Sequence, residues 1–358
     1  MREPWPDTYE LIDGLRGLAA MAVVASHFGV LDVGHSPVMM FFVLSGYCIT
    51  ASAESCRRGG LSVGQFLWRR LRRIYPPYLF AVAFFACTRL LKVAMGGPND
   101  LSLSVIDWVQ NLTMTQGVSM LFVPGLGPAD NPTLFVAAFW TLGYELQFYF
   151  VIGLCLLLVS RVRMPLAWPM LGLAAIGLAW NLRWPGGWVT GVFLEYWVHF
   201  ALGACVYFVL CQYPGRIVRI VFVAFLMGFG AMGAWRLDLQ AEIDTRVYFE
   251  LAVSCAFVLA LLVLRPFSAA VSRAWWWQPV AALGAISYSL YLIHQFNITL
   301  ATTIANLVPA PYAVRAVVML GVPVALATVF WYFCERPFLN QRLSLGASEN
   351  RVDERRQH

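Results

Sequence analysis

Seven ionisable side chains stand inside long apolar runs: Arg16, His27, Glu145, Glu195, His199, Glu250 and His294. A charged or titratable group in hydrocarbon is costly, so each is first a candidate for chemistry. An imidazole titrates near neutrality and can take a proton from a hydroxyl, and a nearby carboxylate can orient the ring or share its proton. In LIDGLRGLAAMAVVASHFGV, Arg16 and His27 are eleven residues apart. In a helix that is three turns plus about 20°, so the two share one face and lie about 16 Å apart along the axis. Asp13, one turn before Arg16, can pair with it. Gly14, Gly17 and Ala20 leave room for a neighbouring helix or a ligand. The plainer alternative is a snorkelling Arg and a buried, hydrogen-bonded His.

Other segments carry weaker signals. Ser45 and Gly46 interrupt the bulky run PVMMFFVLSGYCIT; a Ser nucleophile needs an adjacent base, and helix packing is the simpler reading. In FLWRRLRRIYPPYL, Arg70 and Arg73 share a face of a short helix, with Pro76 and Pro77 starting the next span. Guanidinium groups fork onto phosphates, or anchor a chain to anionic lipid. Glu145 in FWTLGYELQFYF is expected in the same outer half of the bilayer as His27 and could orient it. Glu195 and His199, four apart in LEYWVHF, form either an acid–base pair on the acceptor side or a structural ion pair. No HExxH spacing is present, and no metal site is expected. His294 in ISYSLYLIHQ reads as structural, and His35 receives no role. The eight Cys form no CxxC pair and read as small apolar helix residues. NLT at Asn111–Thr113 matches a glycosylation triplet.

The elements that must position these groups follow from composition. The 358 residues are 60% hydrophobic and 12% charged, against about 25% charged in soluble domains. This excludes a disordered chain, a nucleic-acid-binding domain and an ordinary cytosolic enzyme. The expected fold is all-α, a polytopic membrane protein of about ten transmembrane helices. The apolar segments fall near 14–33, 37–54, 75–94, 139–160, 165–182, 191–211, 217–235, 247–264, 279–306 and 312–334. With the N-terminus inside, 19 of the 25 Lys and Arg fall in cytoplasmic segments and 6 outside, which predicts that both termini are cytoplasmic. The N-terminus carries acids and prolines, and no cleavable signal is expected. DLSLSVIDWVQNLTM, in the long outer connection 96–138, reads as an amphipathic or partly re-entrant helix. Residues 9–340 form one membrane domain and 341–358 a polar cytoplasmic tail.

Each motif is weak singly; their order is specific. DGLRGLAA with the Arg16–His27 spacing, then FFVLSGY, RRLRRIYPPY, FWTLGYELQFY, ISYSLYLIH and CERPF at Cys334–Phe338 together resemble the acyltransferase-3 family of membrane-bound acyltransferases. That family includes bacterial polysaccharide O-acetyltransferases. The resemblance covers about residues 9–340. It implies ten spans in the cytoplasmic membrane, with no permanently bound cofactor. Acyl-CoA would be the co-substrate, acetyl-CoA by default. The acceptor would be a hydroxyl of a glycan, a lipid-linked glycan or a similar molecule. By matching position it implies that His27 is the central catalytic residue, as general base or acyl relay, and that Arg16 is essential. Glu145 matches a recurrent acid. Arg70 and Arg73 match a cytoplasmic motif for the CoA phosphates, and Ser45, Gly46 and Tyr47 match a Ser-Gly-aromatic motif, with Tyr where Phe is commoner. His35-Ser36-Pro37 replaces the family's Gly-rich approach to FFVLSGY. The esterase-like domain attached in some relatives is not expected. A transporter or flippase without acyl-transfer chemistry is the alternative that explains the buried charges but not the joint motif set.

Overall fold

The computed structural model describes residues 9–97, 104–115, 135–183, 191–210 and 245–339, with four further helical positions at 216, 220, 223 and 227. Most of the expected seventh span and the tail lie outside the described residues. The helices are α1 (Ile12–His27), α2 (Ser36–Arg58), α3 (Val63–Ala94), α4 (Val105–Thr113), α5 (Trp140–Val162), α6 (Ala167–Arg183), α7 (Leu194–Leu210), α8 (Thr245–Leu264), α9 (Ser268–Arg273), α10 (Gln278–Ala285), α11 (Ser287–Ile293), α12 (Ile298–Asn306) and α13 (Tyr312–Phe330). No strand occurs among the described residues.

Five helical stretches are long and apolar enough to cross a bilayer: Ser36–Arg58, Val63–Ala94, Ala137–Val162, Phe249–Arg273 and Tyr312–Phe338. The other expected spans among the described residues are shorter or broken. α1 has 16 residues and ends at His27, not at 33; at 1.5 Å per residue it reaches about 24 Å. α7 is 17 residues long and buried along most of its length. A buried helix answers to its protein neighbours, so it need not match the hydrocarbon thickness. The expected ninth span is not one helix. It breaks into α10, α11, a 3-10 turn (His294–Asn297) and α12.

α3 also departs from expectation. It runs unbroken for 32 residues from a capping box, in which Ser62 and Gln65 bond each other's backbone, straight through Pro76 and Pro77. The arginine run and the following span are therefore one rod. Within the long outer connection, α4 is a short helix docked on α3. The Tyr75 and Tyr78 hydroxyls, near the middle of α3, donate to the Leu112 and Asn111 carbonyls, both at 2.5 Å. Asn111 is fully buried; its amide donates to the Asp107 carbonyl and accepts from Phe135 N–H, which removes the glycosylation reading.

Two backbone-to-backbone contacts hold the centre. α2 packs most extensively on α7, and α1 on α10. A Cβ on Gly46 would fall on the Phe200 carbonyl, and one on Gly203 on the Val43 carbonyl. Likewise a Cβ on Gly17 would meet Gly284 N, and one on Gly284 the Asp13 carbonyl. Small residues permit this approach in lipid, where packing rather than hydrophobic burial drives association.

Candidate functional site

The α1 face has two ends. Near Arg16, ten residues from five helices enclose a cavity of about 30 Å³: Arg16 (α1), Ser45, Cys48 and Ile49 (α2), Arg70, Arg73 and Ile74 (α3), Glu145 and Tyr149 (α5), and Tyr288 (α11). That volume admits about one water. Glu145 accepts from the Tyr149 hydroxyl at 2.7 Å, and Tyr288 donates to the Ile74 carbonyl at 2.9 Å, beside the two prolines. Among the described residues, no carboxylate lies within 4.0 Å of the Arg16, Arg70 or Arg73 guanidinium, and none of the three makes a hydrogen bond to protein. Asp13 is exposed and forms no ion pair with Arg16. Behind the cavity, Glu335 is buried on a π turn (Trp331–Glu335) that follows α13. It accepts from Ser289 N–H at 3.1 Å and the Ser289 hydroxyl at 2.5 Å, and feels the charges of Arg73 and Arg16. Three clustered guanidiniums facing one carboxylate make a site that attracts an anion.

Of the Ser45-Gly46-Tyr47 triplet, only Ser45 lines this cavity. Successive helical residues point 100° apart. Gly46 therefore faces the α7 backbone, and buried Tyr47 stacks edge-on against Tyr9 and Tyr207.

At the other end, His27 closes α1 and is exposed. Its Nδ1 lies 2.7 Å from Gln295 Nε2. Gln295 Oε1 accepts from Ala138 N–H at 3.2 Å, which fixes the amide orientation: Nε2 donates, and His27 Nδ1 is the unprotonated nitrogen. The His27 ring also lies 4.9 Å, edge-on, from that of His294. His294 Nδ1–H donates to the Tyr291 carbonyl at 2.8 Å, and its Nε2 is buried without a hydrogen-bond partner. Tyr291 in turn donates to the Ala138 carbonyl and accepts from Thr141, both at 2.7 Å.

Glu145 is not a partner of His27. Ala138 meets Gln295 at the level of His27, and Glu145 is seven residues further on, about 10 Å deeper along α5. That carries it down to Arg16. The His27 partner is Gln295, 268 residues away in sequence. The signal that could have found it is the spacing Tyr288, Tyr291, His294. These residues fall three apart along α11 and its continuation and join the arginine cavity to His27.

Beside Gln295 lies a second cavity of about 500 Å³, lined by Phe85, Thr88, Arg89 and Lys92 of α3, Phe135–Ala137, and Gln295, Phe296 and Thr299. A third group stands apart from both. Tyr144 donates to Glu195 at 2.5 Å, while His199 bonds the Ser254 hydroxyl at 2.7 Å rather than Glu195. The Ser254 hydroxyl donates to the Glu250 carbonyl at 3.0 Å, and His35 stands 3.7 Å from the Glu250 carboxylate.

An acyltransferase-domain family matches residues 9–332. The chain is 29% identical over 311 residues to a protein of Komagataeibacter xylinus designated a membrane-bound transacylase, BcsY, covering 81% of this chain and 73% of that one. It is 26% identical over 358 residues to the peptidoglycan O-acetyltransferase OatA of Listeria monocytogenes, covering 91% of this chain but only 55% of that one. No solved structure shows significant similarity.

Proposed function

We propose, from the premise that this chain belongs to the acyltransferase-3 family, that it is a multi-pass membrane O-acyltransferase moving an acyl group, acetyl by default, from acyl-CoA to a hydroxyl of a carbohydrate acceptor. The observation that carries this reading is the trio Arg16, Arg70 and Arg73, drawn from α1 and α3 into one small cavity with no anion among the described residues bonded to any of them. Three guanidiniums held close together repel one another, and a phosphate-bearing ligand offsets that repulsion. Arg70 and Arg73 are partly exposed and would take the CoA phosphates on the cytoplasmic side. The cavity has to widen for this, since it now holds only a water-sized group. Arg16 would steady the pantetheine arm, which spans the roughly 16 Å to His27.

At His27 the acceptor hydroxyl displaces the Gln295 amide from Nδ1 and gives that nitrogen its proton. The alkoxide oxygen attacks the thioester carbonyl, the C–S bond breaks, and the departing CoA thiolate takes the proton back from the imidazolium. Gln295 holds the lone pair on Nδ1 until the acceptor arrives. The termini lie on the CoA side, in keeping with the arginine asymmetry, and the membrane is the cytoplasmic one.

The test uses purified protein in nanodiscs with acetyl-CoA and candidate glycans. Acceptor-dependent CoA release that vanishes in His27→Ala is the expected result. No CoA release with any acyl-CoA, together with glycan movement across sealed vesicles, would replace this reading with the transporter.

A further inference from the structure

His294 is completely buried, and one of its ring nitrogens is unused. Nδ1–H is committed to the Tyr291 carbonyl at 2.8 Å. In a neutral imidazole the other nitrogen then carries a lone pair and no hydrogen. His294 Nε2 is therefore an acceptor sealed from water with nothing to accept. Such atoms are rare in folded proteins, because each costs stability. The hydroxyls on the same short segment all have partners: Tyr291 donates to the Ala138 carbonyl and meets Thr141, and Ser289 donates to Glu335.

The ring that meets His294 edge-on is that of His27, at 4.9 Å between centres and 73° between planes. Gln295 donates to His27 Nδ1, so the His27 hydrogen sits on Nε2. Among the described residues that N–H has no acceptor. One ring thus has a donor without a protein partner, and its neighbour has an orphaned acceptor. In an N–H···N bond of about 2.9 Å between two imidazoles, each nitrogen roughly 1.1 Å from its ring centre, the centres stand about 5 Å apart. The two rings already have that separation. Joining them takes a turn of the exposed His27 side chain and no approach of α1 to the 3-10 turn. The Gln295 amide on Nδ1 holds His27 back from that turn.

We infer that His294 is a positioning residue for His27, taking the His27 Nε2–H on its own Nε2. When the acceptor hydroxyl replaces the Gln295 amide at Nδ1, the His27 ring turns until the two Nε2 atoms share that hydrogen. The hydroxyl proton then passes to Nδ1. The positive charge that develops on His27 meets a lone pair shielded from water, where a charge-assisted hydrogen bond is strong. The hydrogen on Nε2 stays in place and the one on Nδ1 leaves with the CoA thiolate, so both rings end as they began. His294 and Gln295 are consecutive residues of the 3-10 turn His294–Asn297, and between them they address both nitrogens of one ring. A neutral imidazole here does what a carboxylate would do, and Glu145 is too deep to do it. The proton's use in transfer rests on the acyltransferase reading; the pairing of the two rings stands on their geometry alone.

Three variants separate the two nitrogens of His294. His294→Asn keeps an amide N–H near the Tyr291 carbonyl and loses the far acceptor. His294→Gln carries an amide oxygen out to the place of Nε2. His294→Phe removes both. Full-length proteins in nanodiscs, without substrate, are treated with diethyl pyrocarbonate, which acylates the unprotonated ring nitrogen. Labelling of His27 is followed by peptide mass spectrometry, with exposed His35 as the internal measure of fold. His27 should label at least fivefold more slowly in His294→Asn and His294→Phe than in the wild type, and within twofold of the wild type in His294→Gln. His35 should label equally in all four. With acetyl-CoA and a glycan acceptor, kcat should follow the same order, falling about 10- to 100-fold in His294→Asn and His294→Phe, the worth of one hydrogen bond to a charged group, while KM for acetyl-CoA stays unchanged. Wild-type labelling in His294→Asn with slow labelling in His294→Gln would assign His294 to the Tyr291 bond alone and overturn the inference. Equal rates in all four proteins, or equal loss in all three variants, would overturn it too. The expected labelling order in a protein that transfers no acyl group leaves the pairing standing and removes the acyltransferase reading instead.

Discussion

At the Arg16 end, side chains from five helices close on about 30 Å³ and present three guanidiniums. At the His27 end, about 500 Å³ opens beside an exposed imidazole held by one amide. The tight end is framed by the long rods α1, α2, α3 and α5, and the open end by the broken segment from α11 to α12 and the residues leading into α5. Regular helices fix charges to within a rotamer, which suits a constant group such as a phosphate. Short helices and 3-10 turns leave backbone groups free to hold Gln295 and His294, and leave space that can vary with the acceptor. The contrast separates binding of the donor from the chemistry done with it.

The sharpest way to break that separation is at His27. In His27→Ala, turnover should fall about 10²- to 10⁴-fold, the usual worth of a positioned proton acceptor. Because the ring is exposed, thermal stability should hold, and acyl-CoA binding by calorimetry should match the wild type. Loss of both binding and turnover would mean that the two ends are one site.

The reciprocal substitution is Arg73→Gln. A charge-assisted hydrogen bond is worth about 1.5–3 kcal/mol, so KM for acyl-CoA should rise about 10- to 100-fold with kcat nearly unchanged. Arg73→Lys should recover only part, because an ammonium cannot fork. A kcat effect with unaltered KM would move Arg73 into the chemistry. Gln295→Leu sharpens the other side. Losing one neutral hydrogen bond of about 0.5–1.5 kcal/mol should lower kcat/KM for the acceptor about 2- to 10-fold and leave KM for acyl-CoA alone, as read by steady-state kinetics with each substrate varied in turn.

The smallest effect lies at the rim of the arginine end, before α1 begins. Glu10 accepts from the Ser268 hydroxyl at 2.7 Å and stands 3.7 Å from Arg265. The Ser268 hydrogen bond, helped by the Arg265 charge, holds its carboxyl below the ordinary value. A depressed carboxylate stabilises the fold above its unfolded pKa of about 4.3 and loses that contribution as pH falls through the lower folded value. Glu10→Gln should therefore lower the unfolding free energy at pH 7 by under about 1 kcal/mol, the worth of an exposed pair, as read by denaturation. The gap should close on acidification below that pH.

The sequence made the helical class legible, and so too the shared face of Arg16 and His27, because period and composition suffice for both. It also placed Arg70 and Arg73 together. Glu145 was read at the wrong end because α5 starts inside the protein, at the level of His27, and depth along a span cannot be counted from an apolar boundary alone. Gly46 and Tyr47 looked like parts of a binding triplet, but Gly46 is taken up by the close approach of the α7 backbone and Tyr47 packs on Tyr9 and Tyr207. Ten spans were counted where five helices of membrane length are described. Apolar runs such as 279–306 read the same whether they are straight or broken, since burial rather than hydrocarbon satisfies the backbone. Gln295 was invisible, because a neutral amide far away in sequence carries no pattern until the fold brings it to His27.

The account depends on one thioester reaching from the guanidinium cluster to the imidazole, and photo-crosslinking reads that reach directly. An acyl-CoA analogue with a diazirine in its acyl chain, bound to the protein in nanodiscs, should label the C-terminal end of α1 and the turn between α11 and α12. The same reagent with the diazirine on adenine should label the first half of α3. Acyl-chain label confined to the lining of the arginine cavity, with none at His27, His294 or Gln295, would contradict it.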